Sequence, residues 1–338
     1  MTSQPRPTIA DVARTAEVST ATVSRVLNGN DKVDPGLAER VRKAVDEMHY
    51  VPNLAGRALR RAQSDMWAMI VPDARNPFFT AVLQEFETVA AAKGHSVVMC
   101  NSHETFERER HYIDEMIAQQ VSGVVLAATS ATRTSVRRLT AAGIPVVLFD
   151  RRIKSFSGDI VTVDNVMAGR LAAEHMLEQG VRSPFILTGP KTVSSTVDRD
   201  AGFRSAFETA GLPVDPDHVL RLDLTAETAE QELAAALSKA SLIDGLFATN
   251  GPLTSAAFTC LQALRWAMPE RISFVGVDDE HWTQMVTPKV TLIAQPVDQL
   301  GQWAAKLLEN RSTQPDDQPV RIVLEPNLIV RESSLYSN

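Results

Sequence analysis

With 338 residues, the chain is long enough to form two or three domains with separate hydrophobic cores. Its hydrophobic content of 44% and charged content of 22% are typical of a soluble globular protein. Residues 1–8 are too polar for a signal peptide and no apolar run could cross a membrane, so we expect a cytoplasmic protein without membrane contact. Cys100 and Cys260, the only cysteines, lie in apolar stretches, which indicates buried thiols in a reducing compartment.

The net charge of −7 is unevenly distributed along the chain. Residues 1–62 carry a charge of +3, whereas the remaining residues carry −10. A basic N-terminal segment joined to an acidic body is typical of a nucleic-acid-binding domain followed by a soluble core.

Three short helices are predicted in the N-terminal segment. Thr8 can cap the first helix, with Asp11 in the capping-box position. Ser19 can cap a second helix that ends at Asn28–Gly29. Asp34–Pro35 supplies the cap and the first residue of a third helix. Three helices of this length around one small core predict a compact all-α domain.

The connection between the first two helices is short. Only residues 16–18 separate them, which is the spacing of a helix-turn-helix. Glu17 lies in the middle of this turn, where glycine is common. We therefore expect Glu17 to adopt a left-handed backbone conformation at a cost of roughly 1 kcal/mol.

The second helix has two different faces. Its apolar stripe consists of Val23, Val26 and Leu27. The opposite face carries small or hydrogen-bonding side chains, namely Thr20, Ala21, Ser24 and Arg25. Such a narrow face with one arginine fits the major groove of DNA, although an ordinary amphipathic surface helix would look similar.

Residues 51–64 are predicted to connect this domain to the body. Asn53 can cap a short helix there, but a helix of this length that contains Gly56 is marginal on its own. Leu59 is an apolar residue among arginines. One interpretation is a flexible basic linker. The other is a hinge helix that orders on DNA and inserts Leu59 between base steps in the minor groove.

From residue 65 onward, short apolar runs alternate with helical stretches. The predicted strands include Met66–Val71, Val97–Cys100, Val124–Ala128, Val146–Phe149, Phe185–Thr188, Gly245–Thr249 and Ser273–Val277. The predicted helices include Phe78–Lys93, Glu107–Gln120, Ala168–Gln179 and Thr254–Trp266. Apolar strands with helical crossovers predict parallel sheets that are covered on both faces. Since the body is too long for one such sheet, we expect two similar α/β subdomains.

Polar side chains follow several of these strands. They are Asp73, Asn76, Asp150, Asn250, Asp278 and Gln295. Ligands of open α/β folds bind outside the carboxyl ends of the strands, so these residues predict a site for a polyhydroxylated ligand. Phe78 or Phe79 would supply an apolar face. A helix cap is the alternative role for each strand-end residue taken singly.

A series of motifs runs through nearly the whole chain. They are Thr8–Arg14, Val18–Gly29, Tyr50–Asn53, Ala58–Leu59, Val71–Asp73, Asn76–Phe79, Asp278–Asp279, Gln295–Pro296 and Leu328–Glu332. This series resembles the lactose/galactose-repressor (LacI/GalR) family. The resemblance implies an α/β protein with an N-terminal all-α helix-turn-helix head and hinge helix. A two-subdomain, periplasmic-binding-protein-like effector domain with parallel sheets would follow.

The resemblance also implies domain boundaries. The head covers residues 1–50, the hinge helix or linker covers 51–64, and the effector-binding and dimerisation domain covers 65–338. The N-subdomain takes about residues 65–162 and 296–320, and the C-subdomain takes about 163–292 and 321–338. Residues 163–165 and 291–295 would lie near the crossovers between the subdomains.

The resemblance assigns two sets of site residues. The DNA-binding set is Thr8, Ser19, Thr20, Ala21, Thr22, Ser24, Arg25, Asn28, Asn53 and Leu59. Within it, the base-reading positions are Thr20, Ala21 and Arg25, and the minor-groove wedge is Leu59. The caps and phosphate contacts fall on Thr8, Ser19, Thr22, Ser24 and Asn28. The effector-binding set is Asn76, Phe78, Phe79, Asp150, Ser195, Arg199, Asn250, Asp278 and Gln295.

Three details bear on the effector. Arg199 could grip a carboxylate or vicinal hydroxyl groups bidentately. Gly251 stands where the family usually has aspartate. Asp279–Trp282 resembles the segment of relatives that sense keto sugar acids, although Trp282 also suits simple packing.

We therefore expect a transcriptional repressor that binds a palindromic DNA operator and responds to a small sugar or sugar acid. One helix reads too few base pairs to select an operator from a genome, so a homodimer is expected. A sugar-binding or sugar-modifying protein with the head as an appendage is the alternative. The sequence contains no dinucleotide, Walker, nucleophile-elbow or zincin motif, so no catalytic residue, metal or cofactor is expected.

Overall fold

A computed structural model of the chain describes residues 7–27, 32–51, 64–223, 228–240 and 242–335. The chain divides into two compact units, Met1–Ser64 and Asp65–Asn338. Within the described ranges, no helix is both long enough and apolar enough to cross a membrane.

The first unit contains helices α1 (Ile9–Thr15), α2 (Thr20–Leu27) and α3 (Pro35–Glu47). The predicted capping box is confirmed, because the Asp11 amide donates to Thr8 and the Thr8 amide donates to the Asp11 carboxylate. Asp34 caps α3 by accepting from two amides, at 2.9 and 3.1 Å. Both local signals therefore act as the sequence predicts.

The turn between α1 and α2 also follows the prediction. Glu17 has a φ of 51°, which is the left-handed conformation expected at this position. The turn lets Val12 and Val23 meet Val41 of α3 in one core, where none of the three is exposed to solvent. This small core leaves the opposite side of α2 at the surface.

The second unit alternates strands and helices. Its strands are β1 (Met66–Val71), β2 (Ser96–Asn101), β3 (Gly123–Leu126), β4 (Val146–Phe149), β5 (Asp159–Val163), β6 (Pro184–Thr188), β7 (Val219–Arg221), β8 (Gly245–Ala248), β9 (Ser273–Val277), β10 (Thr291–Ala294), β11 (Arg321–Leu324) and β12 (Asn327–Ile329). Its α-helices are α4 (Pro77–Ala92), α5 (Phe106–Ala118), α6 (Arg137–Ala141), α7 (Asn165–Glu178), α8 (Ser194–Thr209), α9 (Ala229–Lys239), α10 (Gly251–Ala263) and α11 (Val297–Thr313). Short 3-10 helices cover Pro216–His218, His281–Gln284 and Glu332–Ser334.

These strands form two six-stranded sheets, and each sheet is the centre of one lobe. The first lobe has the order β11-β5-β4-β3-β1-β2, and the second has β12-β10-β9-β8-β6-β7. All pairings are parallel except that of β12 with β10. The chain crosses between the lobes after β5, β10 and β11. The predicted pair of parallel-sheet subdomains is confirmed.

Strand β11 corrects the predicted division between the subdomains. Residues 321–324 were expected in the second lobe, but they pair with β5 of the first, with Arg321 opposite Ile160 and Leu324 opposite Val163. Leu324 is buried in the first lobe's core, and Ile322 packs against that core. The crossover therefore falls after residue 324.

Close packing of α7 against α8 shapes the second lobe. A Cβ atom at Gly169 of α7 would overlap the carbonyl oxygen of Arg199, and one at Gly202 of α8 would overlap that of Val166. The two backbones can approach this closely only because both positions are glycine. The approach brings Asn165, at the start of α7, against Arg199 of α8.

Candidate functional site

The outer face of α2 is the candidate DNA-binding surface. Thr20, Ala21 and Arg25 are exposed on it, and Ser24 is half-buried beside them. Among the described residues, Arg25 forms no ion pair, so its guanidinium can donate to an external acceptor. An exposed arginine among small side chains has the form of a base-reading helix surface.

The other predicted head residues lie near the ends of the helices. The Ser19 hydroxyl accepts from the Thr22 amide at 3.1 Å and lies 2.9 Å from the Thr22 hydroxyl, so both side chains serve the cap of α2. Thr8 is exposed at the start of α1. The predictions for Asn28, Asn53 and Leu59 fall outside the described residues.

In the second unit, the carboxyl ends of the strands meet at a small cavity. All nine predicted effector residues line it, namely Asn76, Phe78, Phe79, Asp150, Ser195, Arg199, Asn250, Asp278 and Gln295. Asp73, another strand-end candidate, lines it as well. Residues from both lobes contribute, as expected for a cleft between two doubly wound sheets.

The strand-end residues of this cleft form two pairs, one of which caps helices while the other has left-handed backbones. Asn76 and Asn250 cap helices α4 and α10, with their side-chain oxygens accepting backbone amides at 3.0 and 2.9 Å. Asp150 and Asp278 instead have left-handed backbones, with φ of 59° and 75°. Such backbone conformations cost about 1–3 kcal/mol and cluster at functional sites, where they redirect a side chain.

Arg199 joins three parts of the second lobe beneath the cleft. Its Nε donates to Asn165 Oδ1, its Nη1 to the Thr249 carbonyl and its Nη2 to Gln295 Oε1, each at 2.7 Å. Gln295 Nε2 then donates to Asp278 Oδ1 at 2.6 Å. The arginine is 2% exposed, so this network fixes its orientation.

Asp278 is also bound to the start of α10. Its Oδ2 accepts the Gly251 amide at 3.0 Å, close to the positive end of the helix dipole. A Cβ atom at Gly251 would lie 2.9 Å from that oxygen and 2.5 Å from Glu280 Oε1, tighter than real Cβ contacts. The aspartate that the family usually has here could not fit without a shift of the Glu280 and Asp278 side chains.

Arg151 forms the matching network in the first lobe. It holds Glu104 bidentately, with Nη1 and Nη2 at 2.8 and 2.6 Å from the two carboxylate oxygens. Its Nη1 also donates to the Ala128 carbonyl at 3.3 Å, and its Nε lies 3.5 Å from Asp150 Oδ2. Most of the hydrogen-bonding capacity of Arg151 is therefore used within the protein.

Burial controls the electrostatics of the cleft. It raises the pKa of Asp150 and of Asp278. The guanidinium groups of Arg151 and Arg199 oppose the rise at Asp150 only partly, and that of Arg199 does the same at Asp278. Burial also lowers the pKa of Arg199. Within the described ranges of the chain, the Asp150 carboxylate accepts no hydrogen bond, so its oxygens remain available to a ligand in the cavity that it lines.

Sequence reasoning missed four residues that line the cavity, namely Glu104, Arg151, Thr196 and Pro252. Arg151 directly follows a predicted site residue, and this adjacency was the available signal. Glu104 gave no signal, because only the fold brings it to Arg151. Trp282 packs against Phe258, with ring centroids 5.5 Å apart, and its indole N–H donates to Glu280. The side chain of Trp282 therefore serves packing.

Comparison with known proteins defines the class of this chain. Residues 8–53 match the bacterial regulatory proteins of the lacI family, and residues 67–313 match a periplasmic binding protein domain. The chain therefore belongs to the lacI family of bacterial regulatory proteins, and it is a helix-turn-helix transcriptional regulator.

Individual relatives match over their full length. The ribose operon repressor of Halalkalibacterium halodurans is 32% identical, with 97% of each chain covered. The transcriptional regulator CelR of Thermobifida fusca is also 32% identical, covering 97% of this chain and 98% of the relative. A CelR–cellobiose complex superposes with a TM-score of 0.74 at 30% identity, covering 97% of this chain and 100% of the complex chain. The operator-bound lac repressor dimer shares the fold, with a TM-score of 0.85 at 22% identity and coverage of 98% and 100%.

Proposed function

We propose that this regulator is a cytoplasmic repressor that binds a palindromic operator as a homodimer and is controlled by a small sugar. The observation that carries the proposal is the exposed α2 face, with Thr20, Ala21 and Arg25 at the positions to which the family resemblance assigns base reading. The head would cover residues 1–50 and the hinge 51–64. Leu59 would insert into the minor groove.

The charges of the cleft favour a neutral sugar over a sugar acid. Glu104, Asp150 and Asp278 line the cavity together with Arg151 and Arg199. Both guanidinium groups already donate to protein acceptors, whereas carboxylate and amide oxygens remain near the cavity. An additional carboxylate would meet this excess of negative charge, whereas sugar hydroxyl groups can donate to it.

The names of two relatives also point to a neutral sugar as the effector. One relative is a ribose operon repressor, and another has been solved with cellobiose. The site also has an apolar wall, because Phe78 and Phe79 line the cavity with their rings 5.0 Å apart. A polar set of acceptors opposite an aromatic surface suits the two faces of a sugar ring.

A thermal-shift screen tests this proposal. We expect neutral pentoses, hexoses or disaccharides to raise the melting temperature. At 100 times its Kd, such a ligand adds about 2.7 kcal/mol to the free energy of unfolding. Sugar acids of the same skeleton are expected to have little effect. Asp150→Asn should remove the shift, since it weakens the acceptor for sugar hydroxyl groups.

The matched control is Asp217→Asn, because Asp217 is exposed on the 3-10 helix Pro216–His218 and does not line the cavity. This variant should keep the melting-temperature shift. Stabilisation by sugar acids alone would contradict the assignment of a neutral ligand. Turnover of a stabilising sugar would favour the alternative, a sugar-modifying protein.

A further inference from the structure

Direct polar contacts join the two lobes on one flank of the cleft. The Arg152 amide of the first lobe donates to Ser194 Oγ of the second at 2.8 Å. The Arg152 guanidinium pairs with the Asp198 carboxylate, with Nη2 at 2.7 and 2.9 Å from its oxygens. These contacts are separate from the three chain crossovers.

The two segments that make these contacts, residues 150–152 and helix α8, also carry cleft residues. Arg152 directly follows Asp150 and Arg151, which line the cavity. On α8, Ser194 and Asp198 are four residues apart and neighbour Ser195 and Arg199, the second lobe's cleft residues. The contact between Arg152 and α8 therefore links the cleft segments of the two lobes, together with the Ala131 amide of the first lobe, which donates to the Thr192 carbonyl of the second at 3.2 Å.

The cleft is closed in this arrangement. Its cavity measures about 30 Å³, far below the several hundred Å³ of small-molecule sites. A cavity of this size does not hold a sugar ring, so we expect binding to require the lobes to move apart, which would break the contacts of Arg152. Each opening of the cleft therefore competes with this contact.

We propose that Arg152 is a positioning residue that closes the effector cleft by binding Asp198 and Ser194. Through this contact it sets the balance between closed and open lobes before any ligand binds. The Arg152 side chain is 52% exposed and that of Asp198 is 15% exposed, so water weakens the pair. We expect its loss to lower the ratio of closed to open molecules about two- to fivefold. This regulatory role of Arg152 rests on the proposed function for the sugar that the cleft takes, whereas the lobe contact itself is independent of it.

Distance measurement within the chain tests the role of Arg152. Spin labels are attached to Arg108→Cys on α5 and Ala201→Cys on α8, two exposed positions in different lobes. We expect the native thiols to stay unlabelled, because Cys100 and Cys260 are buried and burial raises the pKa of both to about 11. The labelled full-length chain is diluted with unlabelled chain, so that only distances within one chain are recorded, without DNA or sugar.

We expect Arg152→Gln and Asp198→Asn each to shift the distance distribution toward longer, open separations. Arg152→Lys should restore part of the short-distance population, and the reversed pair Arg152→Asp with Asp198→Arg should restore most of it. Arg170→Gln is the matched control, because Arg170 pairs with Glu174 inside one helix at 3.0 Å and does not bridge the lobes.

Unchanged distances in both single variants would overturn the proposal, as would equal opening in the Arg170→Gln control. Neither result would bear on operator binding, since no DNA or effector is present. Failure of the proposed function would instead appear as a lack of sugar stabilisation in the wild-type protein.

Discussion

Arg199→Met is expected to abolish the effector response and to lower the free energy of unfolding by about 3–5 kcal/mol. The guanidinium is buried and donates to Asn165, Thr249 and Gln295, and its charge opposes the rise that burial causes in the pKa of Asp278. Methionine fills a similar volume but leaves these acceptors without their donor. Urea unfolding measures the stability, and sugar titration of the operator complex measures the response.

Arg170→Gln on the surface of α7 is the matched control and should change the stability by less than about 0.5 kcal/mol. At temperatures where Arg199→Met is still folded, its effector-free operator affinity should stay close to that of the wild type, because Arg199 belongs to the cleft and not to the head. A variant that kept both its stability and its response would show that the Arg199 network supports neither.

Arg25→Ala is expected to weaken operator binding by about 1–3 kcal/mol per half-site, with a much smaller loss on random DNA. Arg25 is the cationic residue on the exposed face of α2, and alanine removes its donors without disturbing the buried Val23. Fluorescence anisotropy with operator and scrambled duplexes at one fixed salt concentration measures both losses.

Arg42→Ala is the control for charge alone, because Arg42 is exposed on α3 and pairs with Glu39 of the same helix. It should affect operator and scrambled DNA similarly. Equal losses on the two duplexes for Arg25→Ala would show that Arg25 contacts only phosphates.

Local signals in the sequence were sufficient for much of the fold. The capping box of Thr8 and Asp11 and the cap at Asp34 act between residues that are close in sequence, so their structure could be predicted. Glu17 is similar, because the short turn itself requires a left-handed residue. Continuous apolar runs likewise identified four of the six strands of the first sheet and three of the six of the second.

Features set by long-range pairing could not be predicted in this way. Strand β11 is a four-residue edge strand, and only its pairing with β5, far away in sequence, assigns it to the first lobe. The Arg151–Glu104 pair spans 47 residues and has no sequence motif. For Arg199, the resemblance gave the position, but not the partners that already occupy its nitrogens. A grip of Arg199 on a carboxylate or on vicinal hydroxyl groups stays a prediction.

Operator affinity measured against sugar concentration tests whether this chain is a sequence-specific DNA-binding protein under the control of a sugar. An operator is first enriched from a random duplex library by the wild-type chain, and a sugar is taken from the thermal-shift screen. We expect selective binding to the enriched duplex over its scrambled form, and a 5- to 150-fold change in that affinity on saturation with sugar, which corresponds to about 1–3 kcal/mol of coupling. Equal affinity for both duplexes, or an affinity that the bound sugar leaves unchanged, would show that the chain is not a sugar-controlled regulator.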